Sequence, residues 1–200
     1  MNENANGVPT VGVLALQGDF EAHRKALEEA GAKAMEVRTT EDLGRVDGLV
    51  IPGGESTTML RLLDAEKLFE PLCEFGKAKP IFGTCAGAIL LATEVLNPRQ
   101  QSLGLLDLTI ERNGYGRQID SRIAQIELEG EKAEAVFIRA PVILKVGPDA
   151  TVLASYLGQP VLVAQGRHMA ATFHPELSAG NRVHKQFVER LKMAGNSNSS

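Results

Sequence analysis

Gly83-Thr84-Cys85-Ala86-Gly87 stands where a short apolar run, residues 80–83, gives way to a longer one, residues 86–96. A nucleophile on a sharp strand-to-helix turn sits in a strained backbone with no room for side chains beside it. Small residues are therefore needed two positions before and after it. Such a turn also sets the sulfur at a helix N-terminus, where the dipole and free N–H groups favour thiolate. The Ala86 N–H would face an oxyanion formed on an attacked carbonyl. By itself the pattern does not separate a nucleophile from a buried cysteine in a glycine-flanked strand end.

A thiol nucleophile needs a base, and the chain holds four histidines: His23, His168, His174 and His184. His23 falls on the first helix and His184 on the last, both among charged neighbours. His168 follows Gly166-Arg167 at a hairpin turn. These three read as surface residues. His174 differs, because it ends the apolar run Met169-Ala-Ala-Thr-Phe173 and continues as His174-Pro175-Glu176. Proline keeps the residue before it extended, and in extended chain residues i and i+2 share a side. Glu176 is thus placed to accept the other imidazole N–H and fix the tautomer. Cys85, His174 and Glu176 form a candidate triad.

Gly53-Gly54-Glu55-Ser56-Thr57-Thr58 follows another short apolar run. It lacks the lysine of a phosphate-binding P-loop, and no Gly-x-Gly-x-x-Gly follows the first strand, so neither nucleotide motif is present. It reads as a tight turn with Ser56 or Thr57 capping a helix. The backbone N–H groups of Gly53-Gly54 face the cysteine elbow, where Gly54 would complete an oxyanion hole. The His, Cys, Asp and Glu spacings fit no metal-ligand pattern, and no cofactor is expected.

These segments must be positioned by a scaffold. In the first half, residues 10–16, 33–38, 48–52 and 80–83 read as strands. Helices between them carry Phe20, Arg24, Leu27 and Ala30, then Met59, Leu60, Leu62 and Leu63, then residues 66–76. Residues 86–96 read as one apolar helix. Strand–helix alternation at this spacing predicts a parallel sheet with helices on both faces. Seven short β-branched runs between residues 105 and 173 read as antiparallel or mixed strands added to that sheet, and residues 181–193 as a closing amphipathic helix. The fold class is α/β, a three-layer sandwich on a mixed, largely parallel sheet, and such sheets place their sites at the strands' carboxyl ends. One domain is expected over 10–194, between frayed tails at 1–9 and 195–200.

Composition narrows the function classes. In 200 residues, 21 Lys+Arg against 25 Asp+Glu leave a net charge of −4, without the basic face of a nucleic-acid binder. No uncharged stretch reaches the roughly 18 apolar residues of a membrane span. No basic-then-apolar leader opens the chain, and the cytoplasm is the default expectation. There Cys73 and Cys85 are a poor disulfide pair, leaving Cys73 as a core residue of its helix.

With these segments in place, the chain resembles the class I (triad) glutamine amidotransferases, which pair a Gly-x-Cys-x-Gly elbow with a downstream His-Pro-Glu. Within them it is similar to the glutaminase subunits of pyridoxal 5′-phosphate synthase. The resemblance is carried in order by Gly12-Val-Leu-Ala-Leu-Gln-Gly18, Pro52-Gly-Gly-Glu-Ser-Thr-Thr-Met59, Phe82-Gly-Thr-Cys-Ala-Gly87, Glu111-Arg-Asn113 with Gly116-Arg-Gln118, Phe137-Ile-Arg-Ala-Pro141 and Phe173-His-Pro-Glu-Leu177. It implies hydrolysis of L-glutamine by Cys85, His174 and Glu176. Gly54, Glu55, Ser56, Arg112, Ile138 and Arg139 would bind the glutamine. Gln17 and Gly18 would rearrange to help Gly54 and Ala86 form the oxyanion hole. The implied partner is the barrel-shaped synthase subunit, with twelve glutaminases on a dodecameric core. The runner-up is the glutaminase of another pathway, imidazole glycerol phosphate or purine synthesis. A third reading is a non-catalytic binding module, or a cysteine hydrolase or stress protein of related fold, in which His174-Pro175-Glu176 would be coincidental.

Overall fold

The computed structural model describes residues 7–114 and 121–197, with side chains described through residue 193. The first half runs β1 Thr10–Leu14, α1 Phe20–Glu29, β2 Lys33–Val37, α2 Thr40–Gly44, β3 Gly48–Ile51, α3 Ser56–Ala65, α4 Phe69–Ala78, β4 Ile81–Thr84 and α5 Ala86–Leu91. It continues with β5 Ala92–Leu96, β6 Leu106–Glu111, β7 Arg122–Leu128, β8 Glu131–Phe137 and β9 Val142–Val146. Then come β10 Thr151–Tyr156, β11 Gln159–Gln165, β12 His168–Ala171, a 3-10 turn Pro175–Leu177 and α6 Arg182–Ser197.

A seven-stranded sheet in the order β10-β11-β12-β4-β3-β1-β2 forms the centre. Neighbours from β2 to β12 are parallel, and β11 and β10 close one edge antiparallel. Strands buried on both faces must be apolar throughout rather than alternating, and β3, Gly-Leu-Val-Ile, is buried at all four positions. Its residues divide between two cores. Leu49 and Ile51 pack with Met59 and Leu63 of α3 and Leu72 of α4. Val50 packs on the opposite face with Leu27 of α1 and Phe187 and Leu191 of α6. The mixed, mostly parallel sheet between helices is the architecture read from the sequence.

Several boundaries differ from that reading. The apolar run 86–96 is not one helix: α5 stops at Leu91, Ala92 turns extended at ψ 152°, and β5 pairs parallel with β6. Thr93 and Val95 are β-branched and favour a strand. Of the strands expected to extend the main sheet, only β10, β11 and β12 do so. β5, β6 and β9 form their own three-stranded sheet, and β7 and β8 pair with each other. The β7–β8 hairpin closes through Glu129-Gly130, both at positive φ, the backbone that matches strand twist in a two-residue loop. The short α2 was missed, although its capping box between Thr39 and Asp42 is a start signal. α6 continues to Ser197 rather than ending at Met193. Gly116-Arg-Gln118 and both extreme ends, 1–6 and 198–200, lie outside the described residues.

The β4–α5 junction packs backbone against backbone. A Cβ on Gly87 would run into the carbonyl of Ile51 on β3, so α5 rests directly on the sheet's backbone. Replacing Gly87 by Ala is expected to destabilise the protein by about 3 kcal/mol or more, because the obstructing atom is backbone and cannot repack. At Gly44, where a Cβ meets nothing within 4 Å, Ala should be neutral or stabilising by up to about 1 kcal/mol. Urea midpoints of the two variants check this; a Gly87→Ala midpoint at the wild-type value would refute the close approach.

Candidate active site

Strand order alone brings four loops together, because β12, β4, β3 and β1 are successive neighbours. Their carboxyl ends lead into Phe173-His174, Cys85, Gly53-Gly54 and Gln17-Gly18. Cys85 takes φ 50° and ψ −106°, a region where a side chain is strained and where such strain is stored at functional sites. Its N–H donates to the carbonyl of Ala171 at 2.8 Å, tying the elbow to β12. Gly53 fits closely on the other side: a Cβ there would sit 2.6 Å from Cε1 of His174.

His174 lies between Cys85 and Glu176. Its Nδ1 is 2.7 Å from Glu176 Oε1, and Cys85 is near enough to act on the imidazole as well. The pairing expected of residues i and i+2 is present, but not through extended chain. Pro175–Leu177 is a 3-10 turn with His174 at its head, and that turn swings the carboxylate back beneath the ring. Burial works against the imidazolium, yet the hydrogen bonds and charges of Cys85 and Glu176 outweigh it and push the His174 pKa up to about 10.

The three histidines read as surface residues are all buried. His168 accepts a hydrogen bond from the Ile81 N–H at 3.1 Å, at the start of β4. His23 and His184 are wholly buried, with His23 Nδ1 2.9 Å from His184 Nε2. Charged neighbours in sequence misled because a helix turns adjacent residues to different faces. The informative spacing was i, i+3, i+4: His23 with Ala26 and Leu27, His184 with Phe187 and Val188, all buried. The core face of α1 thus passes through His23 rather than Arg24. Burial first holds His23 well below the usual histidine range and His184 at about 4, so both are neutral.

A cavity of about 370 Å³ opens over the elbow. Cys85 and His174 form part of its wall, and so do all six residues expected to bind glutamine: Gly54, Glu55, Ser56, Arg112, Ile138 and Arg139. Ile89, Asn113 and Pro141 also line it and were not singled out. Ile89 lies one helical turn beyond Cys85, the signal that would have found it. Glu176 is behind His174, its side chain 1% exposed. Gln17 does not reach the elbow; its Nε2 donates to the Glu55 carbonyl at 2.6 Å.

The loop after β3 is capped differently from the sequence reading. Glu55, not Ser56 or Thr57, caps α3, accepting from the N–H groups of Thr57 and Thr58. Burial raises the Glu55 carboxyl, but these hydrogen bonds prevail and hold it down to about 2. Arg112 crosses from the end of β6 to donate from Nη2 to Glu55 at 3.1 Å and to Thr57 Oγ1 at 2.6 Å. Its Nε is buried without a partner. The hydroxyl of Ser56 donates to Gln100 Oε1 at 2.9 Å. Among the described residues, no group of three or more His, Cys, Asp or Glu could hold a metal ion.

A mostly parallel sheet with a strained strand-end cysteine facing a His–Glu pair is the architecture of class I glutamine amidotransferases. A solved structure described as a glutamine amidotransferase is similar at TM-score 0.85 and 44% identity, covering 90% of this chain and 98% of that one. The chain belongs to the SNO glutamine amidotransferase family, whose sequence model matches residues 13–193. Among curated relatives, the pyridoxal 5′-phosphate synthase subunit PdxT of Solibacter usitatus (strain Ellin6076) is 57% identical over 90% of this chain and 98% of its own length. The subunit of the same name from Koribacter versatilis (strain Ellin345) is 55% identical over 94% and 97%.

The raised pKa of His174 fixes a sign. A folded-state value above the unfolded one, roughly 6.5, adds stability that is fully present below that value. That stability is lost as pH rises toward about 10. In Glu176→Gln the carboxylate's charge is gone, so the His174 titration should move down and the stability loss between these limits should shrink. Imidazole proton shifts followed by NMR check the first, and urea unfolding at pH 6 and above pH 10 the second. An unmoved titration would show that Glu176 does not govern the imidazole.

Proposed function

We propose that the protein is a glutaminase that hydrolyses L-glutamine to L-glutamate and ammonia, serving as the ammonia-producing subunit of a pyridoxal 5′-phosphate synthase. The observation that carries this reading is Cys85 and His174 on the wall of a cavity that every residue expected to hold glutamine also lines, with Glu176 buried behind the His174 ring. The naming of the relatives as pyridoxal 5′-phosphate synthase subunits supports this pathway over imidazole glycerol phosphate or purine synthesis.

In this mechanism the thiol proton passes to His174, which is held as imidazolium below about pH 10, and the Cys85 sulfur then attacks the side-chain amide carbon. The tetrahedral oxyanion is met by the N–H groups of Gly54 and Ala86. Collapse breaks the C–N bond, His174 returns the proton to the departing nitrogen, and ammonia leaves a γ-glutamyl thioester. Water, deprotonated by His174, attacks the thioester and releases glutamate and the thiol. Glu176 holds the imidazole with Nδ1–H toward itself and stabilises the imidazolium that each half-reaction forms. At the other pole, an arginine suits a carboxylate through its fork. Arg112 is already fixed by Glu55 and Thr57, and its unpartnered Nε supports a role toward the α-carboxylate. Arg139, at φ 44°, stands on the cavity wall with Ile138. Gln17, bonded to the Glu55 carbonyl, must release that contact if the Gln17-Gly18 peptide is to join the oxyanion hole. Such a rearrangement fits a subunit activated when its barrel-shaped synthase partner docks, twelve to a dodecameric core. Ammonia freed at the cavity would pass directly to that partner.

Glutamate release measured with and without a barrel synthase tests the reading. Activity is expected to be weak alone, to rise on mixing, and to fall at least about 1,000-fold in Cys85→Ala. Full activity in that variant would overturn the mechanism. Co-purification with a cyclase or a purine synthetase instead of a barrel synthase would overturn the pathway.

A further inference from the structure

Glu176 is a buried carboxylate with only one oxygen used by the triad. Oε1 meets His174 Nδ1 at 2.7 Å. Oε2 is buried without a partner in hydrogen-bond geometry, yet it lies 3.3 Å from Nε2 of His23. A buried carboxylate oxygen left without a donor is costly. His23 comes from α1 and is wholly buried. Its Nε2 is also 3.2 Å from Thr84 Oγ1, the residue before the nucleophile, and its Nδ1 is 2.9 Å from His184 Nε2 on α6. α1, β4 and α6 thus converge behind the triad, and none of His23, Thr84 and His184 lines the cavity.

A neutral imidazole carries one ring proton, so His23 has two arrangements. If the proton were on Nδ1, it would be donated to His184 Nε2. His184 would then carry its own proton on Nδ1, which is buried with no partner. The Nε2 lone pair of His23 could then accept from the Thr84 hydroxyl but would still face a carboxylate oxygen at 3.3 Å. That arrangement leaves one orphaned donor and one repulsion between two acceptors. With the proton on Nε2 instead, His23 donates to Thr84 Oγ1 and keeps that positive N–H end 3.3 Å from Glu176 Oε2, a charge–dipole contact outside hydrogen-bond geometry, and its Nδ1 accepts from His184 Nε2–H. His184 Nδ1 is then left as a lone pair rather than an N–H, and an unpaired acceptor in an apolar setting costs less than an unpaired N–H.

We propose that His23 is a positioning residue for the triad, anchored on Thr84 and setting its Nε2–H against the Glu176 carboxylate from behind, with its own tautomer set by His184. The line then runs His184, His23, Glu176, His174, Cys85, each member orienting the next. Without His23 the carboxylate is free to rotate about its last torsion, and the bond that aims the His174 ring at the sulfur is no longer fixed. The role of the line in turnover rests on the glutaminase reading, whereas the tautomer and the ring orientation do not.

Nitrogen-15 histidine spectra of the wild-type protein read the tautomer without any substitution. His23 is expected with its proton on Nε2, and a proton on Nδ1 overturns the proposal. His23→Leu and His23→Gln are then compared in complex with the synthase partner, since a glutamine amide nitrogen can stand near the Nε2 position. In His23→Leu, kcat should fall on the order of 10–100-fold with KM within about twofold of wild type. The His174 Nδ1–H resonance should shift, and His23→Gln should recover most of both losses. A folded His23→Leu with wild-type kcat, or a His23→Gln no better than Leu, overturns the proposal. Should His23→Leu fail to fold, the wild-type tautomer and the Gln variant's resonance still decide it. Absence of glutamine hydrolysis in the wild-type complex would refute the glutaminase reading instead, leaving the spectra to judge His23.

Discussion

Between β4 and α5 the chain changes direction at a single residue, and the sulfur's position depends on what holds that turn. Cys85 has no freedom to relax from φ 50°: its N–H is committed to the Ala171 carbonyl. Gly87 meanwhile lies against the Ile51 carbonyl, where no Cβ fits. Every residue of α5 is buried, so the helix cannot shift outward to relieve the strain either. Backbone strain of this kind costs of order 1–3 kcal/mol and persists only where surrounding packing over-determines it. Here the surrounding packing is the sheet itself. The same β12 whose carbonyl anchors Cys85 leads directly to His174, so the distance between the sulfur and the imidazole is set by one parallel strand pair rather than by flexible loops.

Side-chain alternation along β4 then separates two environments. Phe82 joins the core beneath α1 and α6, and Thr84, two residues on, faces the same way and meets His23. The cavity opens over the elbow, while Glu176 is drawn under the ring by the 3-10 turn. A carboxylate this deeply buried is tolerable only with charge or hydrogen-bond partners. His174 supplies one, and the neutral histidine pair stands next to the other oxygen. Their neutrality follows from burial, which keeps a second positive charge from competing with the imidazolium of His174.

What the sequence made legible was local chemistry at strand ends. The elbow announces itself through glycines at two fixed offsets, and His174-Pro175-Glu176 through three adjacent residues. The parallel sheet follows from apolar runs alternating with helical spacing. The illegible parts depend on contacts between distant segments. His23 and His184 are separated by 161 residues, and no window on either helix shows that the other will cover it. The end of α5 was misplaced because Ala92-Thr-Glu-Val-Leu96 carries apolar residues at both ends. Periodicity over so few positions cannot separate strand from helix, and only pairing with β6 decides it. Glu55 as a cap was hidden by Ser56 and Thr57, better capping types at adjacent positions. Arg112, arriving from the second half to bond Glu55, helps favour the less usual choice.

The two halves of the chain divide the cavity between them. Cys85, His174 and the Gly54 loop come from ends of the main parallel sheet. Arg112 follows β6 of the small three-stranded sheet, and Ile138-Arg139 follows β8 of the separate hairpin. Had those strands extended the main sheet, as their sequences suggested, their ends would lie beside the parallel strands, farther along the sheet. As separate sheets packed on its two faces, they instead send Arg112 and Arg139 over the strand ends to complete a wall opposite the cysteine. The geometry of the sulfur therefore answers to strand pairing in the main sheet. The shape and charge of the wall that Arg112 and Arg139 supply answer to how two accessory sheets pack on it, so a change in either accessory sheet can alter that wall while leaving the elbow untouched.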